Sequence, residues 1–261
     1  MKKIVALITM MILAAQVFGA STKSSKPRDL ITVERTVEQF NRIKVSGSLE
    51  LVVVTGKEQR VMVTCESKIL HQIETSVSGG ELSIAITGVM KFKNLTENCK
   101  IEVWVEDLKS LNVSGVTNVF FPEKATMENF SVSTSGVSKT TFADLEVTGK
   151  FTSEASGASR VDITGNLGNA SFEGSGACNL FFTGNAATLN LEVSGACKTS
   201  INAETERMDI EASGACRITL TGHTQLLRLE AAGASSVRSE RFRAENRQAS
   251  FSGAAKISIV D

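Results

Sequence analysis

From residue 111 onward, apolar and polar positions alternate in short runs, and the runs are punctuated by a glycine that returns every 19 to 21 residues. The markers are Gly115, Gly136, Gly157, Gly176, Gly195, Gly214, Gly233 and Gly253. Positions four and two before each marker are mostly apolar or small, as in Leu111 and Val113, Leu191 and Val193, or Ile210 and Ala212. Positions four and six after it are mostly apolar again, as in Val119 and Phe121, Leu180 and Phe182, or Ile218 and Leu220. Period two on both sides of a glycine reads as two half-buried strands that meet at a sharp corner. Glycine suits the corner because it takes φ > 0 without a Cβ clash. In three turns a second corner follows, at Thr164-Gly165, Thr183-Gly184 and Thr221-Gly222. Propeller blades and helical repeats need roughly 34 to 50 residues per unit, so the pattern predicts an all-β parallel β-helix, with two or three strands of about four to six residues in each turn.

The stretch before residue 111 alternates less regularly. Ile43 and Val45, Leu49 to Val53, Val61 to Cys65, Leu82 to Ile86 and Ile101 to Val105 each have period two, and Ser46-Gly47 and Ser78-Gly79 resemble the corner phrase. Residues 38–110 are therefore expected to form an irregular β region and the first turns, continuous with regular repeats over 111–261. Such a region caps the solenoid, whose end rung would otherwise expose apolar side chains and an open strand edge. The polar, basic segment 87–98 around Lys91 and Lys93 reads as a loop. The final strand, Lys256 to Val260, is expected to be covered by edge charges, by a partner subunit or by a crossing of the chain.

The first residues change the picture of where this fold works. Lys2 and Lys3 precede an apolar run from Ile4 to about Ala15 and then Val17-Phe18-Gly19-Ala20, the order of a secretory signal peptide over residues 1–19. Residues 20–37 are polar and read as a flexible linker. The expected mature protein has no membrane span and works in the periplasm, at the outer surface or in the medium. Removing Lys2 and Lys3 leaves 26 basic against 28 acidic residues, so no global field favours nucleic acid.

Aligning the turns sorts the candidate chemistry. Cys178, Cys197 and Cys216 share one inward column, two positions after the glycine, with Thr117, Ser138, Ser159, Ser235 and Ala255. A column of small residues is a packing requirement, and buried cysteine behaves as a small apolar residue. Cys65 and Cys99 lie at inward parity in the less regular part, and in an oxidising compartment a disulfide between them is one of the two states open to them. Three positions before the glycine, outward by parity, stand Glu154, Glu173, Glu192, Glu211 and Glu230. Three positions after it stand Arg160, Asn179, Lys198, Arg217 and Ser236. One reading is two solvated columns of opposite sign that compensate each other. A second is a ladder for a cation or for the hydroxyls and charges of a glycan, and a third is a subunit interface in a homo-oligomer.

No catalytic residue, cofactor site or metal site is predicted. The histidines His71 and His223 are far apart in sequence and expected at the surface, and the chain holds no G-x-S-x-G, H-E-x-x-H or P-loop. Trp104, out of phase with Val103 and Val105, is expected to be partly buried against the cap. The expected function is a non-enzymatic interaction module that contacts a glycan or protein of the cell envelope. The alternative is a polysaccharide-active lyase or hydrolase, a class that uses clustered carboxylates on β-helices.

The export signal, the opening Phe40-Asn41-Arg42-Ile43-Lys44-Val45-Ser46-Gly47, the run Glu81 to Ile86, Leu111-Asn112-Val113-Ser114-Gly115 and the successive Ser-Gly-Ala turns resemble the bacterial family called putative auto-transporter adhesin, head GIN domain. The likeness covers roughly residues 38 to 261. It implies a right-handed β-helix, export and adhesion, and it brings no catalytic residues.

Overall fold

The computed structural model describes residues 29–87 and 99–259. The expected signal peptide, the first part of the expected linker and nearly all of the expected 87–98 loop lie outside them. Within them the fold is a β-solenoid of stacked parallel coils with about 7 turns. The regular turns are β7 (Ser110–Met127) with β8 (Phe130–Thr134), β9 (Lys139–Ala155), β10 (Arg160–Gly174), β11 (Asn179–Val193), β12 (Lys198–Ala212), β13 (Arg217–Ala231) and β14 (Ser236–Phe251), followed by the short β15 (Lys256–Ser258). Each pairs in parallel with the next, in chain order.

From β9 to β14 each turn is one long bent strand plus a tight glycine corner, rather than two or three short strands. The reason is visible at the second bend. There Gly165 pairs with Gly184 in register, and the ladder continues through Asn166↔Asn185 without a break. Stacked bends keep their inter-turn hydrogen bonds, so the strand never ends. From β10 to β13 the register offset is constant along each pair of turns. The longer spacings elsewhere come from extra residues at the bends, with register shifts between Ile163 and Gly165 and between Leu167 and Asn169 in the β9–β10 pairing. A further shift falls between Leu220 and Gly222 against β14, beside Arg241, whose φ of 53° is the one positive value at a non-glycine among the described residues.

At the Ser-Gly corner the eight marker glycines have φ from 71° to 87°. Their backbones nearly touch. A Cβ on Gly195 would lie 2.6 Å from the carbonyl oxygen of Gly176, and the amide of Ala196 donates to that oxygen at 2.7 Å. Gly47 joins this column, since it pairs with Gly115, but Gly79 does not. Gly79 and Gly80, both with φ > 0, form the two-residue turn of an antiparallel hairpin between β4 (Ile73–Ser78) and β5 (Glu81–Ile86). That backbone suits a hairpin whose strands twist right-handedly.

The N-terminal region is built on the first long strand, β2 (Arg42–Thr55). Its first half pairs with β5 and its second half with β6 (Cys99–Val105), both in parallel. The ladder then turns antiparallel, from β6 to β3 (Arg60–Glu66) and from β3 to β1 (Leu30–Arg35). β1 corrects the expected linker. Its inward positions are Ile31, Val33 and Arg35, and the Arg35 guanidinium reaches the carbonyls of Leu70 and Ile73 at 3.3 and 3.2 Å. At the other end β15 covers only Ser236 to Arg238, and the rest of the last rung displays the exposed Arg241, Arg243 and Arg247. Charged edges of this kind discourage strand addition.

Inside the coil, buried phenylalanines stack along the axis. Phe121 lies 4.5 Å from Phe142, and Phe130, Phe151, Phe172 and Phe182 follow at centroid separations of 5.6 to 6.1 Å. Stacked or edge-on aromatic pairs each contribute about 0.5–1.5 kcal/mol beyond the area they bury. The column with the cysteines also bonds the corner. Thr117 Oγ1 donates to the carbonyls of Gly47 and Ser114 at 3.1 and 3.0 Å, and Cys216 Sγ donates to Ser213 at 3.1 Å and Gly195 at 3.8 Å. Cysteine thus replaces a hydroxyl as a weak donor to the same carbonyls. Burial pushes the Cys178 thiol well above its ordinary pKa and raises that of Cys216, which makes them poor nucleophiles.

The inter-turn approach is tightest at Gly184, where a Cβ would lie 1.7 Å from the Gly165 carbonyl oxygen. Gly184→Ala is expected to cost about 3 kcal/mol or more, because two turns must separate. Gly56→Ala is the control: its φ is +71° and a Cβ meets nothing within 4 Å, so only the left-handed backbone penalty of about 1–2 kcal/mol applies. Denaturant unfolding compares the two. Equal losses would show that turn contact does not set the glycine requirement.

Candidate functional site

One long groove runs parallel to the solenoid axis beside the Ser-Gly corner. It encloses about 730 Å³ and is lined by Glu154, Glu173, Glu192, Glu211 and Glu230. The five are neighbours in register: Glu154 pairs with Glu173, Glu173 with Glu192, Glu192 with Glu211 and Glu211 with Glu230. Successive turns are ~4.8 Å apart, so the carboxylates form a file of like charge one strand spacing apart. Ser133 and Ser250 continue the same column at its two ends.

The sequence places these side chains by parity. The residues on either side of each glutamate, such as Leu191 and Val193, turn inward and are buried, so Glu192 stands outward and exposed. The floor between the glutamates and the corner stays shallow because its residues are mostly small: Ala155, Gly174, Val193, Ala212 and Ala231. Opposite the carboxylates runs a second column, the residue before each corner glycine, with Ser156, Ser175, Ser194, Ser213 and Ser252, interrupted by Ala232 before Gly233. Ser156 donates to the Thr134 carbonyl at 3.5 Å, whereas among the described residues the hydroxyls of Ser175, Ser194 and Ser213 meet no protein partner. Phe251, 70% exposed, stands at the C-terminal end of the groove.

Among the described residues no ion pair crosses the corner. Among the described residues none of the five glutamates makes an ion pair, and neither does Lys198 or Arg217. Arg160 turns away to bond Asp162 at 2.8 Å and covers the Phe181 ring at 4.3 Å, and Asp162 also meets Lys139 at 3.8 Å. None of the three basic side chains lines the groove. The corner therefore separates the two columns onto different faces. Sequence spacing signalled the acidic file but missed the serine wall and Phe251, although the Ser-Gly phrase that supplies the wall recurs in plain view.

The remaining candidates lie apart from the groove. His223 stands between Glu204 at 3.6 Å and Glu245 at 3.4 Å, on another face of the coil, and His71 is exposed in the short turn Ser67–Gln72. Trp104 is half-buried on the outer face of β6, with the Arg60 guanidinium 5.9 Å from its ring centre. Cys65 and Cys99 face each other across the β3–β6 ladder as free, buried thiols. Among the described residues no three His, Cys, Asp or Glu side chains are grouped to hold a metal ion, and no helix is long and apolar enough to cross a membrane.

Comparison with solved structures places this architecture among bacterial proteins of the same shape. A putative adhesin from Bacteroides fragilis superposes with a TM-score of 0.64 at 18% identity, over 88% of this chain and 97% of that one. A protein from Parabacteroides distasonis described as a putative lipid binding protein gives 0.66 at 18% identity, over 89% and 97%. A putative adhesin from the same organism gives 0.66 at 16% identity, over 89% and 98%. At such identities the likeness concerns the fold. No curated protein matches the chain. The family model described as "Putative auto-transporter adhesin, head GIN domain" matches residues 39–180 and 170–261, so nearly the whole described solenoid, groove included, falls within it, and the chain belongs to that family.

Proposed function

We propose that this protein is an exported, non-enzymatic interaction module of the cell envelope, and that the carboxylate groove is its binding face for a glycan bearing amino and hydroxyl groups. The observation that carries the reading is the file of five unpaired glutamates in register along one groove. Like charges directly opposite on neighbouring strands are destabilising. A column with only a structural role has uncharged solutions at hand, such as the Asn166–Asn185 pair, whose side chains hydrogen-bond at 2.8 Å on another face. Retaining five adjacent carboxylates is the pattern of a surface kept for a partner that supplies the missing positive charge and donors.

The groove's chemistry defines that partner. Carboxylates accept hydrogen bonds from hydroxyl and ammonium groups, the serines opposite them donate as well as accept, and Phe251 offers an aromatic face at one end for a sugar ring. The spacing of one turn is comparable to the length of one pyranose unit, so an extended glycan can lie along the groove and repeat its contacts turn by turn. Weak contacts then add through their shared tether. Four of the five turns set a serine opposite the glutamate, and Ala232 takes the serine's place opposite Glu230. Glycosidic cleavage calls for two carboxyl groups whose environments push their roles apart, so the uniform file supports display over turnover.

Chitosan oligosaccharides, which carry free amines, are expected to bind in calorimetry at low salt, more tightly than their N-acetylated counterparts and with affinity that falls as salt rises. Glu192→Gln with Glu211→Gln is expected to weaken binding at least tenfold. Appearance of shortened oligosaccharides by mass spectrometry would overturn the binding-module reading in favour of a polysaccharide-active enzyme.

The same double substitution is expected to stabilise the fold by a few tenths of a kcal/mol at low ionic strength, with the gain fading in ~1 M salt. Chemical unfolding at the two salt concentrations measures it. A loss of stability instead would assign the glutamates to the scaffold and remove the argument for a retained binding face.

A further inference from the structure

The strongest unassigned chemistry outside the groove is the thiol pair at the base of the N-terminal region. Cys65 is the penultimate residue of β3 and Cys99 the first residue of β6, and the antiparallel register sets them directly opposite each other. Directly opposed residues of an antiparallel ladder have Cα atoms about 4.5–5.5 Å apart, with both Cβ atoms on one face. That separation lies within the roughly 4.4–6.8 Å that a disulfide spans. Both side chains are buried on the core face, at 0% and 2% exposure, so no solvent layer intervenes. The chain leaves the ladder after Cys65 and re-enters it at Cys99. Residues 66–98 between them include the short turn Ser67–Gln72 and the β4–β5 hairpin, which docks on the first half of β2.

We infer that Cys65 and Cys99 form a disulfide that staples the base of this excursion when the protein folds in an oxidising compartment. The bond forms by exchange with a small or protein disulfide. One cysteine thiolate attacks a sulfur of the donor disulfide and releases one donor thiolate. The second cysteine thiolate then attacks the mixed disulfide and releases the other. Two protein thiols lose two electrons and two protons in total, and the donor disulfide is reduced to two thiols.

Timing follows from burial. In the completed fold, desolvation raises the pKa of both thiols, Cys99 to about 12, with Cys65 adding to the effect, so little thiolate is present at neutral pH. Exchange therefore precedes closure of the cap, and the finished bond is shielded from reductant. Cys178, Cys197 and Cys216 differ, because they repeat at one corner position of successive parallel turns rather than opposing one another on an antiparallel ladder, and Cys197 and Cys216 donate to the carbonyls of Ser194 and Ser213.

The test is to unfold the full chain in denaturant with reductant, refold it in a glutathione and glutathione-disulfide buffer, and count thiols by maleimide mass tagging after denaturation. The expected count falls from the five cysteines of the sequence to three, and proteolytic mapping recovers one linked peptide pair joining Cys65 to Cys99. Cys65→Ser should retain four reactive thiols in the same buffer. The refolded wild type is expected to melt on the order of 5–10 °C higher than its fully reduced form, and Cys65→Ala with Cys99→Ala should abolish that difference. Five tagged thiols, or a linkage within the Cys178, Cys197 and Cys216 column, would overturn the proposal. If the cysteine variants fail to fold, the wild-type count and peptide map decide alone. Neither outcome bears on glycan binding by the groove.

Discussion

Neighbouring turns approach each other so closely at the glycine corners that a Cβ would lie 2.5 to 3.1 Å from a carbonyl oxygen of the turn beneath. The carbonyl of one corner glycine accepts the amide that follows the next, and a Cβ placed on a corner glycine would crowd the backbone beneath it. This contact fixes the register of every turn on its predecessor. Register in turn decides which residues form columns, because a slip of one residue would exchange the core and solvent faces of a strand. The phenylalanine stack, the column of hydroxyl and thiol donors and the file of glutamates are all consequences of that backbone contact, although their chemistries differ.

A fold that copies its neighbours in this way multiplies whatever charge a position carries. Elsewhere the chain prevents the accumulation: Arg160 with Asp162, Arg207 with Asp209 and Lys124 with Glu146 each place opposite signs within reach. Among the described residues the glutamate file and the Lys198–Arg217 pair lack such partners, and the glutamate file lies where the floor is lined mostly by small residues and the serine wall leaves hydroxyls unused. Coincidence of an uncompensated charge file with a continuous concavity separates this face from the rest of the coil. The basic column three residues beyond the corner does not reach it, so the two files act on different surfaces.

Much of the architecture was legible in the chain because a solenoid writes its geometry periodically. The eight glycines, the inward parity of Leu180 and Phe182 and the outward parity of Glu192 follow from counting. What stayed hidden involves contacts that parity does not encode. β1 was obscured by Arg35, a charge at an inward position whose partners, the carbonyls of Leu70 and Ile73, come from a distant part of the chain. Ser78-Gly79 reads like a corner, yet its positive φ serves a hairpin. The second bend looks in sequence like a break between strands, but stacked glycines let the ladder pass through it. The relation between the acidic and basic columns depended on how far the corner turns the chain, a quantity that no spacing of residues supplies.

From β10 to β13 the turns superimpose without a bulge, each fifteen-residue strand closed by a four-residue corner, Ser-Gly-Ala-Cys after the first three and Ala-Gly-Ala-Ser after the last. A unit of this kind can be duplicated or deleted in the gene and leave the flanking turns in register, since each touches only its neighbours. Every inserted unit would lengthen the groove by one strand spacing and add one carboxylate while preserving its cross-section. The length of the groove is thus a heritable variable separate from the chemistry of its walls, and recombination between repeats can change the one without redesigning the other.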